Sequence, residues 1–189
     1  MLGIFASLGL ERASVPDNYP ARHYLLFTFP YSHGLLALIF WAAIFGFLIS
    51  RAYGFETNRI WLVVGLVVLS HFVLDGLVHV AGLPLVGENS PKVGLGLWNY
   101  MPAELTIETV MAIAGVVVYW TVSGAGRSQV ARYGISALTL LITAMTWTQL
   151  GLAEPPKARA LEISWIAFPV IVSVIAYVLD RQRCREAAG

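Results

Sequence analysis

The stretch that decides the fold runs from Leu62 to Ala81 and reads LVVGLVVLSHFVLDGLVHVA. At about 1.5 Å of rise per residue such a segment, coiled as a helix, is about 30 Å long, the thickness of a bilayer's hydrocarbon core. Its only ionisable side chains are His71, Asp75 and His79, spaced four residues apart. Ionisable groups inside a membrane segment are costly and mark functional positions. Four residues is about one helical turn, so the three project from nearly the same face.

The composition around this segment has the same character. The 189 residues are 58% hydrophobic and only 12% charged, where an ordinary soluble domain approaches about a quarter charged. Mean hydropathy is +0.72. The formal net charge of +1 gives no polybasic signature, so nucleic acid is not an expected partner. A single cysteine, Cys184, excludes an intramolecular disulfide and a cysteine-based zinc finger; it reads as a free, solvent-facing thiol in a charged tail.

Working outward, the apolar residues predict an all-α, polytopic integral membrane protein with about five transmembrane helices. The expected spans are Pro30–Ser50, Ile60–Ala81, Ala103–Val122, Ala131–Leu152 and Leu161–Leu179, each bounded by charges or by Pro and Gly. Residues 1–29 are expected as an extramembrane or interfacial segment, 30–180 as the five-helix transmembrane domain, and 181–189 as a charged tail. Tyr31, Trp61, Tyr119, Trp120 and Tyr133 fall near span ends, where aromatic anchors belong. Gly46, Gly65, Gly76 and Gly115 are expected to allow close helix contact. The longest connection, Gly82–Pro102, is too long for a tight turn and is expected to carry function.

Loop cations set the orientation. Arg51, Arg59, Arg127, Arg132, Arg181, Arg183 and Arg185 fall on one side; Arg12, Arg22, Lys92, Lys157 and Arg159 fall on the other. Seven against five places the C-terminus in the cytoplasm and the N-terminus outside. His71, Asp75 and His79 then occupy the outer half of the second span. His33 opens the first, and Glu104 and Glu108 lie in the first turns of the third. Thr143, Thr146, Thr148 and Gln149 end the fourth span, and Glu162 and Ser164 begin the fifth. The polar residues thus gather in one leaflet beneath the long loop.

Geometry limits the site. His71 and His79 are about 12 Å apart along a helix axis, whereas bonds to zinc are about 2.0–2.1 Å. Either one i, i+4 pair binds a single ion together with His33 and a glutamate, or Asp75 bridges two ions. Glu108 is a ligand or a general base. Imidazole with carboxylate suits a divalent metal ion, whether zinc, manganese or iron. Each residue also has a structural reading: His33 bonding a headgroup or loop carbonyl, Glu104 facing the helix dipole, and the His71–Asp75–His79 row holding helices together.

Four stretches, Pro30-Tyr31-Ser32-His33-Gly34, Ser70–His79, Leu83-Pro84-Leu85 and Pro91–Asn99, resemble the bacterial inner-membrane metal-dependent hydrolase family, whose better-known members are regulated by LexA. The resemblance covers Leu8 to Tyr119. It implies a multi-pass protein of the bacterial inner (cytoplasmic) membrane. It also implies metal ligation by His33, His71 and Asp75, with His79 and Glu108 as companions. Relatives carry a further hydrophobic region with a Gly-His pair and a later Asp, so the resemblance implies an N-terminally short member.

The leading expectation is a membrane-embedded metal-dependent hydrolase of a lipid-linked or amphiphilic ester or phosphoester. Zinc is an expected divalent metal, and membrane lipid an expected partner. Lys92 in the covering loop is either solvated or a contact for an anionic headgroup. The alternative is a non-enzymatic accessory subunit of a larger membrane protein complex, its histidines structural or contacting a haem or chlorophyll-type pigment. A proton or ion pathway ranks last, because the polar residues stop at mid-membrane and no inverted repeat is visible.

Overall fold

The apolar windows fold as five helices long and apolar enough to cross a membrane, in a computed structural model that describes residues 1–53, 57–123 and 128–188. In chain order the elements begin with α1 (Leu2–Ser7), β1 (Arg12–Ser14), α2 (Tyr19–Arg22) and β2 (Leu26–Thr28). The spanning helices α3 (Leu35–Tyr53) and α4 (Thr57–Val78) follow, then the two-residue strands β3 (Leu83–Pro84) and β4 (Lys92–Val93). Three more spanning helices complete the chain: α5 (Met101–Val122), α6 (Gln129–Trp147) and α7 (Ala158–Ala188). Single 3-10 turns at Leu97–Tyr100 and Thr148–Gly151 precede α5 and follow α6.

The helix ends have local causes. Residues Pro30–Gly34 turn before α3 begins, and a Cβ on Gly34 would lie 2.6 Å from the Pro30 carbonyl oxygen, so the first helix starts later than the hydropathy suggests. At the far end of α4 the free carbonyls are taken by the loop: Leu95 N–H donates to Gly76 O and Gly96 N–H to His79 O, both at 2.8 Å. These bonds satisfy orphan acceptors that a helix terminus always leaves. Pro102 and Glu104 stand in the first turn of α5, where a missing N–H is harmless and a carboxyl faces the positive end of the dipole. Ser128 caps α6, its Oγ accepting from Ala131 N–H at 3.2 Å. Helix α7 carries Pro169 and runs on through the charged tail. The Gly124–Arg127 connection and the side chain of Cys184 lie outside the described residues.

The spanning segments are nearly all surface. The share of each buried inside the protein runs from 22% for Leu35–Ala52 to 0% for Ala158–Arg183. Val67, Val110, Leu140 and Val170 are among the large apolar side chains left exposed, which suits lipid and not water. The packed core lies instead at one end of the bundle. Phe29, Leu83, Leu105, Met101 and Tyr19 are buried there, where α3, α5 and α7 begin and α4 and α6 end.

Two small sheets build this capped end. Strands β1 and β2 pair antiparallel, Ala13 opposite Phe27; β3 and β4 pair with Leu83 opposite Val93. The N-terminal segment is thus ordered structure, and α1 packs on α7. A Cβ on Gly3 would stand 2.7 Å from Ile166 Cγ1 and 2.9 Å from Glu162 O. The opposite end is tied by polar bonds: Tyr119 donates to Asp180 (2.7 Å), Arg183 Nε donates to Asp180 (2.9 Å), and Arg183 also reaches the Ser123 carbonyl (2.9 Å).

The glycine expectation needs correcting. Gly46 does meet a neighbour, its Cβ position being 3.0 Å from the Trp61 ring. Gly65, Gly76 and Gly115 have nothing within 4 Å of theirs; other close approaches occur at Gly3, Gly34, Gly94 and Gly134, the last with its Cβ position 2.6 Å from Leu179 Cδ2. Trp61 therefore packs against a helix, and Trp120 lies under the Arg132 guanidinium, 4.7 Å from its ring centroid.

Candidate metal centre

The four-residue spacing does what helical geometry requires of it for one pair. His71 Nε2 lies 3.4 Å from Asp75 Oδ2 across one turn of α4. The Pro30–Gly34 turn then brings His33 in from the neighbouring element, its Nε2 3.9 Å from the same oxygen. His33, His71 and Asp75 each offer one ligand atom, and these atoms lie within 4.8 Å of one another. A zinc ion with tetrahedral bonds of about 2.1 Å would separate its ligand atoms by about 3.4 Å; the His71–Asp75 pair stands at that distance and the His33–Asp75 pair is wider, at 3.9 Å. Asp75 Oδ2 is buried without a hydrogen-bond partner. An orphaned anionic oxygen facing two imidazole nitrogens is a donor set for a cation, so the group could hold a metal ion, and its chemistry does not select which.

Just outside the spanning helices, the largely buried imidazole of His33 and the buried one of His79 are shifted toward the neutral form. Burial, then the nearby His71 and His79 rings, lower His33 to about 3. Burial, then His71, lower His79 to about 4. A metal ligand must be the neutral imidazole, the form that burial favours for His33.

His79 is not part of the group. It is buried in an aromatic setting, its ring centroid 3.8 Å from that of Trp98 and 5.2 Å from that of Phe29, and it braces the end of α4 against the loop. The helical rise already separated it from His71 as a ligand of one ion. Glu108 also stands outside the trio. It lines a cavity of about 670 Å³ together with His71, Asp75, Leu95, Tyr100 and Glu104. Glu104, on the same face one turn earlier, is buried within hydrogen-bonding reach of Glu108 and Trp98, so its placement exceeds that of a simple dipole carboxyl.

His71 is the exposed member, with half its side chain accessible, and it borders two cavities. Besides the one shared with Glu108, a second of about 530 Å³ runs past Ser32, His33, Phe45, Val68 and Phe168. Both are mostly apolar, as befits the tail of an amphiphile.

Two polar groups with buried atoms could not be found from spacing. Glu11 is buried, 3% exposed, and accepts hydrogen bonds from the N–H groups of Tyr31 and Ser32, both at 2.8 Å, and from Ser32 Oγ at 2.6 Å. Ser32 Oγ is also 2.6 Å from His33 Nδ1. His23 is the other: it ends α2 with a left-handed backbone, φ 59°, and its Nδ1 is buried without a hydrogen-bond partner. Of the two, Glu11 reaches the trio, through Ser32; its sequence signal is a carboxyl placed directly after the apolar Met1–Leu10 stretch. Lys92 is exposed on β4.

No family model, curated protein or solved structure matches the chain. Fold and site define it as a protein with five helices suited to a membrane and a His-His-Asp group that could hold a metal ion.

Proposed function

We propose that this protein is a membrane-embedded metal-dependent hydrolase acting on a lipid-linked or otherwise amphiphilic ester or phosphoester. One observation carries the reading: the orphaned Asp75 Oδ2 set between His33 Nε2 and His71 Nε2. The motif resemblance to the inner-membrane metal-dependent hydrolase family supports it, and so does the apolar character of the cavities on either side of His71.

His33, His71 and Asp75 would hold the divalent ion, which when bound would supply Lewis-acid polarisation and activation of water. The protein's own residues do the rest. His33 and Asp75 fix the site from two elements, so its geometry is set before substrate arrives. Glu108 stands in the shared cavity to take a proton from attacking water and return it to the leaving alcohol. Loop Gly82–Pro102 closes the site, and a headgroup enters beneath it while the tail remains among the helices. With the arginine-rich ends inside, this chemistry takes place at the outer face of a bacterial inner membrane.

Elemental analysis of the purified protein tests the reading. Wild type is expected to carry about one equivalent of a divalent metal, and His71→Ala and Asp75→Asn much less. A metal-free wild type that takes up no added zinc would overturn it, and stoichiometric co-purification of larger subunits with such a protein would favour an accessory role in a membrane complex.

A further inference from the structure

We infer that Glu11 is a positioning residue for the metal centre: acting through Ser32, it fixes His33 in the tautomer that leaves Nε2 free to ligate. The inference rests on the metal reading above, but its core is a count of protons along one hydrogen-bonded chain.

A carboxylate has only acceptor sites. Glu11 Oε1 takes the Tyr31 and Ser32 N–H groups, and Oε2 takes Ser32 Oγ–H at 2.6 Å. A hydroxyl has one proton, and here it is committed to Glu11. Ser32 Oγ is nevertheless 2.6 Å from His33 Nδ1, so the proton in that second bond comes from the imidazole. His33 is therefore the Nδ1–H tautomer, and its lone pair is on Nε2. That is the nitrogen 3.9 Å from Asp75 Oδ2. The far nitrogen of a metal-binding histidine is ordinarily held by such a partner, which sets both tautomer and ring orientation. Glu11 and Ser32 are both buried, so water does not compete for these bonds.

The same count gives the outcome of an isosteric change. In Glu11→Gln the amide oxygen keeps the two backbone N–H groups, and the amide NH₂ faces Ser32 Oγ. The hydroxyl then accepts from the amide and turns its own proton toward His33 Nδ1. The imidazole must place its proton on Nε2, which can no longer bind a cation. One oxygen-to-nitrogen replacement, two residues away along the chain of bonds, reverses the polarity of the ligand.

Two measurements decide it. Long-range ¹H–¹⁵N spectra of histidine-labelled protein, without added metal, are expected to show His33 as Nδ1–H in wild type and Nε2–H in Glu11→Gln. Zinc titration is expected to show about 10–100-fold weaker binding in Glu11→Gln and in Ser32→Ala, with the double variant no weaker than the worse single. Wild-type His33 protonated on Nε2 would overturn the inference, as would a Glu11→Gln protein that keeps both the wild-type tautomer and the wild-type zinc affinity. A wild type that binds no zinc would remove the metal reading, and the spectra would still decide the proton count. A purely structural Glu11 would lower the melting temperature without moving the tautomer.

Discussion

Replacing Gly94 by alanine tests how the covering loop is seated on the site. Gly94 has φ +153°, a backbone that a side chain makes strained. A Cβ there would lie 2.5 Å from His79 O and 2.5 Å from Val80 O, roughly an ångström inside ordinary contact. Neither neighbour is the movable end of a side chain; both are backbone at the end of α4. The strand must therefore lift. Lifting it breaks the 2.8 Å bonds from Leu95 N–H to Gly76 O and from Gly96 N–H to His79 O, at about 1 kcal/mol each. Staying in place instead costs about 1–3 kcal/mol of backbone strain, before the clash is counted. Either route gives about 2–3 kcal/mol. For a chain of this size that is a fall in melting temperature of about 4–12 °C, read by tryptophan emission and monodisperse elution after heating in detergent. Gly115→Ala is the control: nothing lies within 4 Å of its Cβ position, and alanine in a helix is favoured by about 0.5–1 kcal/mol. A Gly94→Ala protein melting within about 1 °C of wild type, or shifting as Gly115→Ala does, would refute the reasoning.

Other perturbations separate the remaining roles. Glu108→Gln is expected to abolish most hydrolysis of an amphiphilic ester while leaving zinc stoichiometry at the wild-type value; lost metal would instead make Glu108 a ligand. His79 has its folded pKa lowered to about 4 by burial, against an ordinary value of about 6.5, so the unfolded chain binds the extra proton first. Stability from this group is therefore complete above about pH 6.5 and declines as pH falls toward 4; a His79→Gln variant should show a flatter melting-temperature profile across that window, and an unchanged profile would remove His79 from the account. Gly3→Val sets side-chain atoms against Ile166 and the Glu162 carbonyl and is expected to free α1 from α7, exposing Leu2–Ser7 to limited proteolysis; unaltered cleavage would show that α1 is not held there.

What the sequence made legible follows from how strong each constraint is. The five spanning helices stand in plain view because lipid cannot satisfy a backbone N–H, so each crossing needs about twenty apolar residues in a row. The His71–Asp75 pair is equally plain, since a turn of helix fixes its spacing. His79 could be set apart from a single ion by rise alone. The partnership with His33 needed topology as well, which put the start of the first span beside the end of the second. The capped end was not legible. Strands of two or three residues, such as Leu83–Pro84 and Leu26–Thr28, carry no periodicity, and their pairing is decided by contacts distant in sequence. Glu11 lies 21 residues from Ser32, and no local pattern announces that contact. The glycines misled for a related reason: a glycine in a helix reveals only a missing side chain, and whether a neighbour fills the space is a property of the packing.

The bundle is fastened at its two rims, by the capped end around Phe29 and Leu83 and by the Tyr119–Asp180–Arg183 cluster at the other. Between the rims the helices share little buried surface, which leaves apolar faces suited to lipid. A membrane protein built this way resembles a barrel hooped at top and bottom with gaps between the staves. Under the proposed function the gaps would be the entrance for a lipid-linked substrate: its tail would slide in sideways from the bilayer past Phe45, Val68 and Phe168, and only the reacting head would meet water. Bilayer thickness and acyl-chain packing would then become variables of the proposed reaction, and detergent of the wrong chain length a competitor at its door.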